Sequence, residues 1–69
     1  MKKTIYIDGM ACIHCKNSVE AALRVLDGVV SVSVSLEDKC AVIDTNTDID
    51  DAVLTAAITD IGFDVEKII

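Results

Sequence analysis

The chain has 69 residues, a formal net charge of −6, no proline and only two aromatic residues, Tyr6 and Phe63. Its length suits one small domain, residues 1–69, with a core built from Val, Ile, Leu and Ala. The acidic balance speaks against nucleic acid and anionic membrane surfaces as partners, and no apolar run is long enough to insert into a bilayer.

Met1-Lys2-Lys3 looks like the start of a signal peptide, but Asp8 arrives before any apolar stretch develops, so a cytoplasmic protein is expected. Three cysteines are an odd number, and in a reducing compartment they stay thiols. That favours metal binding or redox chemistry over a disulfide framework.

Thr4 to Asp8 alternates, with Ile5 and Ile7 on one face and Tyr6 on the other, which predicts a strand ended by Gly9. From His14 or Cys15 to Leu26 the period becomes helical, and Cys15, Val19, Ala22, Leu23 and Leu26 form the apolar stripe. Gly28 suits the left-handed position that closes this helix. Val30, Val32 and Val34 alternate with serines to make a second strand. Glu37-Asp38-Lys39 turns the chain into a third, Cys40 to Asp44. Thr47 or Asp48 is the expected cap of a second helix with Val53, Leu54, Ala57, Ile58 and Ile61 inward. Gly62 ends it, and Phe63 to Ile69 forms the last strand.

The order strand, helix, strand, strand, helix, strand predicts an α+β fold, the ferredoxin-like βαββαβ sandwich. A four-stranded antiparallel sheet carries both helices on one face, in spatial order fourth, first, third, second. In this topology Cys12, Cys15, Lys39, Cys40 and Phe63 gather at one end.

Cys12 falls in the loop before the first helix and Cys15 in its first turn, so two sulfurs can converge on one ion. The unpaired amides and partial positive charge of a helix start favour thiolate, the form that binds metal. Two soft sulfurs suit copper(I), whereas zinc normally takes four ligands. A Cys-x-x-Cys pair also occurs in zinc ribbons and thiol oxidoreductases. The second half of a ribbon is missing, and the element order does not suit an oxidoreductase of the thioredoxin kind. Met10 reads as core filler, His14 as a solvent-facing residue and Cys40 as a small buried residue. His14 and Cys40 are also alternative third ligands.

Gly9-Met10-Ala11-Cys12-Ile13-His14-Cys15 resembles the GMxCxxC motif of the heavy-metal-associated domain family. The resemblance extends to Asp27-Gly28-Val29 and Ile61-Gly62-Phe63, and to the length and element order. It implies Cys12 and Cys15 as ligands of copper(I), with zinc, cadmium or mercury as alternative ions. It also implies handover of the ion by thiolate exchange, not enzymatic turnover. The implied partner is a metal-transporting ATPase or a copper-responsive regulator. The implied protein is a monomeric metallochaperone, with a metal-bridged dimer as the alternative state. His14 beside Cys15 is similar to the His-Cys ending of bacterial copper chaperones, while Phe63 is more like the metal-binding domains of transport ATPases.

Overall fold

In a computed structural model describing residues 1–69, the elements run β1 (Lys2–Asp8), α1 (Ile13–Arg24), β2 (Val29–Ser35), β3 (Cys40–Thr45), α2 (Asp51–Asp60) and β4 (Asp64–Ile68). The strands form one antiparallel sheet in the order β2-β3-β1-β4, the expected ferredoxin-like arrangement. Parity sorts the side chains into two faces. Ile5 and Ile7 of β1 and Ala41 and Ile43 of β3 point toward the helices and are fully buried with Val19 and Leu23 of α1 and Leu54 and Ile58 of α2. Each of the Val, Leu and Ile side chains among them stabilises the fold by ~1.5–3 kcal/mol relative to exposure. The opposite face carries Tyr6, Cys40 and Val42, with the Lys67 ammonium 4.8 Å from the Tyr6 ring centroid.

Several boundaries and faces depart from the sequence expectation. β1 begins two residues early because Lys2 and Lys3 pair with Asp44 and Ile43. α1 ends at Arg24, and Gly28 takes its positive φ of 94° in the turn that follows, not at the cap itself. A Cβ there would collide with Thr47, so both the backbone conformation and the space select glycine.

In β2 the regular alternation of Val30, Val32 and Val34 is broken. Val29 pairs with Thr45 and Ser31 with Asp44, so Val30 is an inserted residue, 64% exposed. A second bulge, between Tyr6 and Ile7, leaves Glu66 as the extra residue of β4 and lets Val65 and Ile68 both reach the core.

α2 starts at Asp51 with Asp50 as N-cap, later than Thr47 or Asp48, because Ile49 is drawn into the core first. Lys3 Nζ fixes this approach, donating to the Ile49 carbonyl at 2.7 Å and to Asp51 Oδ1 at 2.8 Å. The Asp51 hydrogen bond is the main reason the Lys3 pKa is raised. Leu54 and Ile58 are buried as expected, but Val53 and Ile61 are not: Val53 is 45% exposed.

Candidate metal centre

β1 delivers the chain to Gly9, whose φ of 90° turns it out of the sheet. Met10 then plunges into the core cluster and pins the loop from below, which is the packing role expected of it. Beyond this anchor Ala11 and Cys12 are exposed. Cys12 occupies the N-cap position of α1 with extended backbone (φ −146°, ψ 171°) and makes no side-chain cap bond. The first helical bond runs from the Lys16 amide to the Cys12 carbonyl, 3.0 Å. Cys15 lies in the first turn and packs partly against the core. The two sulfurs are 3.3 Å apart, and both are free thiols.

The electrostatics separate the two cysteines from the third. The Cys15 thiol is held below its ordinary pKa, first by the Ala11 amide, then by the Cys12 thiol and the amides of Cys12 and Cys15, with partial burial opposing. No acidic residue sits in the first turn of α1, so nothing competes with a thiolate for that helix end. Cys40 is shifted the other way, raised by burial and then by the charge of Asp38.

Topology does bring Lys39 and Phe63 to this end. The Ile7 amide donates to the Lys39 carbonyl at 2.9 Å, and Phe63 Cδ1 lies 3.6 Å from where a Gly9 Cβ would be. Cys40 is also at this end, opposite Tyr6 and Ser35 in the ladder, but its side chain is on the open face of the sheet, away from α1. It is buried, as first expected, and parity turns it away from the alternative role of third ligand beside Cys12 and Cys15. His14 is exposed, as expected. No group of three or more His, Cys, Asp or Glu side chains converges anywhere in the chain.

Two residues near the loop carry no signal of their own in the sequence. Leu36, in the β2–β3 turn, lines a cleft of about 410 Å3 with Met10, Ala11 and Lys39 directly beneath the loop. Ile13, a mere spacer by motif, is 61% exposed between the two cysteines. A larger depression, about 500 Å3, lies against α2 beside Leu26, Ala52 and Val53 and contains no thiol.

A cysteine loop anchored by a buried methionine, at the start of the first helix of a βαββαβ sheet, is the layout of one family. The model of the heavy-metal-associated domain matches residues 4–64. The chain belongs to the heavy-metal-associated domain family. Within it, the chain is 44% identical over 69 residues to the copper chaperone CopZ of Staphylococcus saprophyticus, covering 93% of this chain and 96% of that relative. It is 39% identical over 61 residues to copper-transporting ATPase 1 of Rhizobium meliloti, covering 88% of this chain but 7% of the ATPase. The solved structure of a CopZ metallochaperone superposes with a TM-score of 0.88 at 35% identity, covering 94% of this chain and 98% of that one.

Proposed function

We propose that this heavy-metal-associated domain, residues 1–69 acting as one unit, binds copper(I) through Cys12 and Cys15 and hands it to a copper-transporting ATPase or a copper-responsive regulator in the cytoplasm. The observation that carries the reading is the pair of free sulfurs, 3.3 Å apart at an exposed end, with no third ligating side chain beside them. An all-sulfur, low-coordinate donor set suits a soft monovalent ion better than zinc, which seeks four ligands. The copper-chaperone relatives support the same ion. No helix of the chain is long and apolar enough to cross a membrane.

The donor geometry fits once Cys12 moves. At a metal–sulfur distance of ~2.3 Å, the present spacing subtends an angle of about 90° at the ion, and wider angles need the sulfurs to part by up to ~1.3 Å. Cys12 is exposed and carries no cap bond, so its rotation supplies that opening while Cys15 stays against the core.

Handover then proceeds by exchange. A partner thiol loses its proton as its sulfur bonds to copper. The Cys12–copper bond breaks, and the departing thiolate takes up a proton. A second partner thiol then gives up its proton and bonds to copper. The Cys15–copper bond breaks as it does so, and the Cys15 thiolate takes up a proton. Two bonds form for two broken, and copper remains in the +1 state throughout.

A second reading has an observation of its own. Phe63 packs at the loop where ATPase domains resemble this chain, and the match to the Rhizobium ATPase falls within a small part of that protein. Here the same unit would receive copper as one domain of a transporter. The mass of the natural gene product distinguishes the two.

The test is competition for copper(I) between the reduced protein and bathocuproine disulfonate, with a parallel zinc titration. Wild type should retain copper under conditions where a Cys12→Ser, Cys15→Ser double variant surrenders it. Equal retention by both defeats the proposal.

A further inference from the structure

The two edges of the sheet are built differently. β4 carries Asp64, Glu66 and Lys67 within five residues, and its bulge leaves Glu66 as an extra residue. Edge charges and bulges discourage another strand from pairing. β2, at the other edge, runs for seven residues with no charge and no proline. Its own bulge is confined to Val30, so residues 31–35 form a regular ladder against β3, and their outward backbone groups have no partner. Val32 and Val34 stand opposite Ile43 and Ala41 and face the helices, while Ser31, Ser33 and Ser35 lie on the open face. The run Ser31-Val32-Ser33-Val34-Ser35 also reads the same in both directions.

We propose that β2 is a pairing edge for a second copy of this chain, joined antiparallel across a two-fold axis at Ser33. An antiparallel pair sets residues of the same face opposite each other. Centred on Ser33, the palindrome places Val32 against Val34 and Ser31 against Ser35, with Ser33 meeting its own counterpart. Each valine then meets a valine over the core, and each serine meets a serine on the open face, where hydroxyls exchange hydrogen bonds. Shifting one copy by a single residue sets valines against serines and mismatches both faces. A two-fold contact requires such self-matching, and it singles out a copy over an unrelated strand. The charge agrees: each chain carries −6, and β2 is the one strand that brings none of it to the contact. Because β2 runs toward the Lys39 turn at the thiol end, the thiol ends of such a pair point in opposite directions. The pair therefore differs from a copper-bridged dimer, in which the thiol ends meet, and it leaves both cysteine loops open. It stands independently of the copper reading.

The paired strip is short, so a weak dimer is expected, with a Kd of ~0.1–1 mM. The test follows the reduced, metal-free, isotopically labelled chain by NMR and sedimentation equilibrium between about 10 µM and about 1 mM. Amide shifts should move with concentration along residues 31–35 and stay fixed on β4 and the Cys12–Cys15 loop, while the average mass rises toward that of a dimer. Ser33→Lys sets two ammonium groups face to face at the axis and should weaken association at least about tenfold. Glu66→Gln, with the same change of charge on the opposite edge, should stay within about twofold of wild type. The Cys12→Ser, Cys15→Ser double variant should associate as wild type does, since neither metal nor thiol joins the copies. Added salt should tighten the dimer by screening two acidic chains. Circular dichroism confirms the fold of each variant, and the wild-type shift map decides the matter alone if Ser33→Lys does not fold. A chain that stays monomeric up to about 1 mM, or shifts centred on another surface, overturns the proposal. So does association that survives Ser33→Lys unchanged, or that vanishes in the double cysteine variant and therefore belongs to the thiols.

Discussion

Replacing Cys40 by alanine tests the parity argument that separates it from the other two cysteines. Cys40 is 6% exposed on the open face of the sheet, between Tyr6 and Ser35. Deleting its sulfur removes about one methylene-equivalent of buried surface, ~0.8 kcal/mol, and the small void brings the cost to ~1–1.5 kcal/mol. For a chain of this length that lowers Tm by about 5–10 °C, measurable by circular dichroism. Copper affinity against bathocuproine disulfonate should be unchanged within about twofold, because the lost thiol faces away from Cys12 and Cys15. The pH dependence gives an independent check. Burial and Asp38 raise the Cys40 pKa in the folded chain, so its protonated form stabilises the fold below the ordinary thiol range. That contribution disappears as pH rises through the folded pKa. The alkaline fall in stability should therefore be shallower in Cys40→Ala than in wild type. A loss of copper affinity beyond about tenfold in a variant that still folds would show that Cys40 reaches the metal, and the face assignment would be wrong.

Three other outcomes follow from the same geometry. Met10→Ala should cost ~2–4 kcal/mol in urea denaturation, since the loop loses its buried anchor; a change below about 0.5 kcal/mol would mean the loop is held from elsewhere. Gly28→Ala should cost ~2 kcal/mol or more, from the positive φ and the collision with Thr47, and an unaltered midpoint contradicts both. Cys15, with its pKa lowered chiefly by the Ala11 amide, should react with iodoacetamide at lower pH than an ordinary cysteine, its rate falling only as pH drops through that lowered pKa. Peptide mapping of the alkylated protein reads this directly, and a Cys15 profile matching that of the denatured chain refutes it.

Much of the molecule was legible without coordinates because its signals are local. The change from period two to helical period at the Gly9–Cys15 loop marks the first strand–helix junction. Glu37-Asp38-Lys39 marks the hairpin, and the Leu54–Ile58 spacing marks the buried side of α2. Chain connectivity then restricts these elements to one sheet order, which the structure has. The Cys12–Cys15 pair and its place at a helix start were equally readable, since they depend on neighbours only a few residues away.

Tertiary pairing decided the rest. Val30 alternates as well as Val32 and Val34, yet the bulge against Thr45 and Asp44 turns it to solvent, and no feature of β2 alone encodes the register of its partner. Ile49 delays α2 because the core accepts it before the helix begins, with Lys3 holding the approach from a strand more than forty residues earlier. Cys40 reaches the thiol end along its strand and misses the thiols across it, because a residue's face is set by pairing parity. Its distance along the chain says nothing about which side of the sheet it will occupy.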